Sequence, residues 1–145
     1  MAASIRTGRV LLGGVVAGLV MMVLTFLDNS LLLMPRMTRL MDDHKLLPTP
    51  RLPFLPLWLL ILLLLGIALV WLYAAVRPRL GPGPRTALLV GLVVGLLAGV
   101  PENFVSACWQ PMGRLLPFMW MVERIVGCVL GTLVGAWLYR EEGGA

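Results

Sequence analysis

Apolar residues in this chain gather into four long stretches, parted by short segments that hold most of the charges. The stretches are Val10 to Leu33, Phe54 to Val76, Thr86 to Cys108 and Leu115 to Tyr139. A helix rises 1.5 Å per residue, so about 20 apolar residues cross a hydrocarbon core of about 30 Å. Each stretch is long enough, and the pattern predicts an all-α protein with four transmembrane helices arranged as two repeated helical hairpins. The connections leave no room for a soluble domain, so residues 1–145 read as a single membrane domain.

The only sizeable connection is residues 34–53. Met34, Met37, Leu40 and Met41 recur there at helical spacing, with Arg36, Arg39 and Asp43 on other faces. That predicts a short helix lying in the membrane interface. Pro48, Pro50, Pro53 and Pro56 then stiffen the approach to the second span. Gly81-Pro82-Gly83-Pro84 is a turn that no helix passes through.

Composition agrees with the pattern. Hydrophobic residues make up 59% of the 145 and charged residues 13%, with a mean hydropathy of +0.93. A soluble fold carries about 25% charged residues and could not hide this much apolar surface, whereas a bilayer leaves it in place. The net charge of +5 does not point to nucleic acid, because the basic residues sit at helix ends, where lipid headgroups lie. The first stretch exceeds a signal-peptide core and lacks a small-x-small cleavage site, so it is expected to be a retained helix.

Arg6, Arg9, Arg77, Arg79, Arg85 and Arg140 fall on one side of such a bundle, and Arg36, Arg39, Lys45, Arg51 and Arg114 on the other. Six against five is a narrow margin under the positive-inside rule. The purely basic second loop decides for cytoplasmic termini.

The two halves resemble each other. Gly14-Val15-Val16-Ala17-Gly18-Leu19 matches Gly91-Leu92-Val93-Val94-Gly95-Leu96, Asp28-Asn29 matches Glu102-Asn103, and Trp71-Leu72-Tyr73 matches Trp137-Leu138-Tyr139. Odd spans match odd and even match even, which implies two hairpins related by a pseudo-twofold along the membrane normal. Chance likeness among Leu/Val/Gly-rich spans is the alternative. Glycines also recur every four residues: Gly14 and Gly18; Gly91, Gly95 and Gly99; Gly127, Gly131 and Gly135. Such faces let helix backbones approach closely. They are expected to pack within the chain, the alternative being a dimer interface. The second span has only Gly66 and is expected to face lipid most.

Ionisable residues at membrane depth are the candidate site. Asp28, Glu102 and Glu123 lie about 26 to 28 Å from the basic flank, at one level, with Asn29, Asn103 and Arg124 beside them. At 100° per residue, Glu102 falls within about 20° of Gly91 and Gly95, and Arg124 about 20° from Gly131. The six are therefore expected on the glycine faces, and Pro101 is expected to bend the third span beside Glu102. Such a cluster either pins helices together or forms an ion, proton or ligand site. The excess of acids favours a cation or proton if a ligand exists.

Other chemistry is sparse. His44 stands alone beside Asp42 and Asp43 in the first loop, where a solvated loop explains it better than a metal. Haem held by two histidines is excluded within one chain. Nine methionines read as core filling rather than copper ligands. Cys108 and Cys128 lack metal or redox spacing and are expected to be buried thiols. Ser30 and Ser106 have no histidine at their depth, and no nucleotide or zinc signature is present. No catalytic, cofactor-binding or metal residue is therefore assigned.

The segment Trp71-Leu72-Tyr73-Ala74-Ala75-Val76-Arg77-Pro78-Arg79-Leu80-Gly81-Pro82-Gly83-Pro84-Arg85-Thr86-Ala87 resembles part of a family of small uncharacterised bacterial four-helix membrane proteins. The glycine-rich opening that leads to Asp28-Asn29 and the closing Gly135-Ala136-Trp137-Leu138-Tyr139-Arg140-Glu141 resemble the same family. The resemblance implies a bacterial inner membrane location and no activity. The expected function is a non-enzymatic accessory or structural membrane component. Its partners would be the bilayer and a homodimer or larger complex, with no cofactor. A small oligomeric cation or proton transporter using the acidic cluster is the alternative. A lipid or quinone enzyme is the weakest reading.

Overall fold

The computed structural model describes residues 6–50 and 52–139; Arg51 and Arg140 of the basic flanks lie outside them. Five α-helices follow one another: α1 Thr7–Leu27, α2 Met34–Asp42, α3 Phe54–Leu80, α4 Pro84–Trp109 and α5 Leu115–Leu138. Among the described residues four helical stretches are long and apolar enough to cross a membrane. The expected all-α architecture holds, with boundaries shifted by a few residues.

The first span departs most from expectation. A π-helical turn, Asp28–Leu33, joins α1 to α2, so the helix does not stop at Leu33 but runs from Thr7 to Asp42. The amphipathic segment does form a helix. Part of its apolar face packs on protein rather than resting on lipid: Leu33 and Leu40 are buried against Met112 and Leu116, with Met37 beside them. His44, at φ 57, ends the helix in a left-handed conformation while the Lys45 and Leu46 N–H groups donate to the Leu40 carbonyl. The lone histidine thus sits in a helix-terminating turn.

At the opposite end, α3 continues through Pro78 to Leu80, and the turn to α4 is Gly81–Gly83, both glycines at positive φ. Pro84 opens α4, where a missing N–H costs nothing. Thr86 Oγ1 donates to the Gly81 carbonyl at 2.8 Å, and the Gly83 N–H donates to the Tyr73 hydroxyl at 3.2 Å.

Glycine faces hold the bundle together from within the chain. α1 packs along α3 and α5, and α4 packs along α5. A methyl on Gly66 would collide with the Gly14 carbonyl and the Gly18 nitrogen, and one on Gly14 would meet the Ile67 Cα. The stripe Gly127, Gly131, Gly135 faces Met21, Ala17 and Gly13 of α1, and Gly91, Gly95 and Gly99 face Cys128, Ile125 and Arg124 of α5. The expectation for the second span is corrected by Gly66: a third (33%) of the most apolar stretch of α3 is buried, as in α1, whereas α4 is the least enclosed at 22%.

Both hairpins use the same contact pattern. Gly14 meets Ile67 and Gly18 meets Leu63; Gly91 meets Val129 and Gly95 meets Ile125. Tyr73 and Tyr139, equivalent in the repeat, face each other edge-on with ring centroids 6.3 Å apart. The likeness does not extend to the whole bundle, because α1 packs closely along α5 while its counterpart α4 packs only slightly on α3. The even helices differ in register by one turn, since Ile67 lies four residues before Trp71 and Val129 eight before Trp137.

Candidate functional site

The polar residues converge near the end of the bundle that carries α2. Thr25 of α1 donates its hydroxyl to Glu123 Oε1 of α5 at 2.6 Å. The other carboxylate oxygen of Glu123 lies 4.0 Å from Arg124 Nη2, in a pair whose side chains are only 7% and 11% exposed. The Arg124 guanidinium lies over the Trp58 ring of α3, 4.8 Å from its centroid. Its aliphatic stem covers Gly99 of α4, where an added methyl would sit 3.2 Å from the Arg124 Cβ. One arginine thereby touches α3, α4 and its own α5, and its neighbour Glu123 ties in α1. A buried ion pair needs such support, because each ion has given up its hydration.

Asn29 extends the junction. Its Nδ2 donates to the Thr25 carbonyl at 2.8 Å, one turn back, and its Oδ1 accepts from Trp120 Nε1 at 3.2 Å. Asp28 stands where α1 gives way to the π-helical turn, and its Oδ2 is buried without a hydrogen bond. Asp28 and Glu123 line one groove of about 410 Å³, whose other walls are apolar side chains of α1, the π-helical turn and α5. π-helical turns recur at functional sites because they re-aim side chains within a helix.

Four of the six expected residues therefore meet: Asp28, Asn29, Glu123 and Arg124. Asn103 does not join them; its Nδ2 turns back to the Gly99 carbonyl of its own helix at 2.8 Å. Glu102 is exposed on the outside of α4, contrary to expectation. The buried line of α4 follows the four-residue ridge Gly91, Gly95, Gly99 to the half-buried Asn103, and then Ser106. Each four-residue step drifts by about 40°, so by Asn103 the line lies about 120° from Gly91. Glu102, in angular register with Gly91, is left outside it. The helix continues through Pro101. Of the two thiols, Cys128 is buried between Gly91 and Gly95, while Cys108 is exposed.

Thr25, Trp58 and Trp120 belong to the junction and were not singled out from the sequence. Thr25 precedes Asp28-Asn29 by one turn and Trp120 precedes Glu123-Arg124 by one turn, a spacing that places neighbours on one face. Trp58 carries no such signal. No group of three or more His, Cys, Asp or Glu among the described residues is placed to hold a metal. No family model, curated protein or solved structure matches the chain.

Proposed function

We propose that the chain is a non-enzymatic component of a bacterial inner membrane, with both termini cytoplasmic, which works inside a larger membrane assembly. Its partner sits on the outer face of α4. The observation that carries this reading is Glu102. It is exposed on the least enclosed helix, seven residues inside Trp109 and so about 10 Å from that end. Lipid tails offer it no hydrogen bond, and a carboxylate at membrane depth calls for a protein partner. The glycine faces are occupied within the chain, which leaves α4 to meet another protein. Arg6, Arg9, Arg77, Arg79 and Arg85 share one end of the bundle, in keeping with cytoplasmic termini.

A photo-crosslinking residue placed at the exposed Val105, one turn from Glu102 on the same face of α4, is expected to form an adduct of one defined mass in native membranes. The same residue at Leu60, exposed on α3, is expected to form none. Lipid adducts alone at both positions would contradict the proposal.

Asp28 favours a second reading, because a buried carboxylate oxygen without a partner beside Glu123 is suited to bind a cation or a proton. In this reading an oligomer carries the ion. Flux into liposomes abolished by Asp28→Asn and Glu123→Gln would support it, and flux unchanged by both would exclude it.

A further inference from the structure

A second cavity, of about 490 Å³, lies at the end of the bundle opposite the polar junction. It is walled by Tyr73 and Arg77 of α3, Gly83 and Pro84 where α4 begins, and Ala136 and Tyr139 where α5 ends. We propose that this cavity binds the phosphate group of an anionic phospholipid.

Three features converge on an anion. The Arg77 guanidinium lies 5.9 Å from the centroid of the Tyr139 ring, which holds the charge at the cavity wall. The Tyr73 side chain, only 3% exposed, accepts a hydrogen bond from the Gly83 N–H, so its oxygen is fixed and its own proton is left to donate. The cavity also lies at the N-terminus of α4, a helix of 26 residues, where the peptide dipoles favour negative charge. A guanidinium suits a phosphate because it offers several N–H donors to its oxygens.

The remaining wall selects a lipid. Leu133 and Trp137 also line the cavity, and Trp137 is exposed on the outer surface of α5. That continuity gives an acyl chain an apolar path from the phosphate to the bilayer. The ends of the membrane-spanning helices are also where headgroups lie, and basic pockets between such helices hold anionic headgroups. The site is separate from the Asp28–Glu123 groove and does not depend on the α4 partner. Free orthophosphate shares the chemistry of the headgroup and must be distinguished from it.

The test uses the full chain, delipidated in neutral detergent and incubated with phosphatidylglycerol, phosphatidylcholine or orthophosphate. Native mass spectrometry and thermal melting are the readouts. Phosphatidylglycerol is expected to stay bound at one molecule per chain and to raise the melting temperature, while the other two do neither. Arg77→Gln is expected to weaken retention about tenfold, as loss of a charge-assisted contact does, whereas Arg79→Gln, exposed on the same helix, leaves it unchanged. Ala136→Phe fills the cavity without altering charge and is expected to weaken retention as well, which provides a test independent of whether Arg77→Gln folds. Equal retention of phosphatidylcholine, an equal effect of orthophosphate, or retention unchanged in Ala136→Phe would overturn the proposal.

Discussion

Arg124 shows how much one residue can carry in this protein. It covers Gly99, lies over Trp58 and pairs with Glu123, so its removal uncouples contacts to two other helices, α3 and α4. Arg124→Ala also leaves the Glu123 carboxylate buried with Thr25 as its hydrogen-bond donor. Removing one member of a buried pair costs on the order of 3 kcal/mol. Arg36 lies near Gly113 at the exposed end of the bundle, and Arg36→Ala is expected to cost far less. Melting curves of the two variants in one detergent check this, and equal melting temperatures would count against the junction. Position along the chain was enough to place Asp28, Asn29, Glu123 and Arg124 at one depth. It did not reveal the direction of Glu102, because an ideal helical wheel omits the drift of a four-residue packing ridge.

At the scale of helices, close backbone contact decides the arrangement. Lipid supplies no hydrophobic force between spans, so association rests on how closely the backbones fit. Gly66 lies where α3 meets Gly14 and Gly18, while Gly8 has open space around it. Gly66→Ala is expected to destabilise the protein by about 1–3 kcal/mol, as overpacking does. Gly8→Ala is expected to be neutral or to stabilise slightly through helix propensity. Thermal melts of the pair check the contrast, and a neutral Gly66→Ala would show that α1 and α3 do not approach as described. The glycine spacing made most of these contacts legible in the sequence. Gly66 was not legible, because a lone glycine in a leucine-rich span carries no period. The π-helical turn was equally hidden: Asp28–Leu33 has the composition of an ordinary helical segment, and packing of Leu33 and Leu40 on Met112 and Leu116 accompanies its course.

For the molecule as a whole, the repeat and its departures separate the two ends. The glycine contacts repeat between hairpins, and Tyr73 meets Tyr139 edge-on. The acids do not follow the same symmetry. Gly14 aligns with Gly91 at a spacing of 77 residues, but Asp28 aligns with Glu102 at 74. A slip of three residues turns a helical side chain by about 60°, so the two acids do not take equivalent places. One hairpin turns its carboxylate into a groove against α5, and the other turns it outward. That outward carboxylate marks the face of α4 on which the proposed partner sits. The most direct test is native mass spectrometry of the protein, gently solubilised from its own membranes, as wild type and as Glu102→Leu. The substitution makes α4 more apolar and leaves the internal contacts intact, so loss of assembly cannot be ascribed to unfolding. A defined heteromeric mass is expected for the wild type, and the released chain for Glu102→Leu. A single chain or a homodimer in both samples would contradict the proposed assembly.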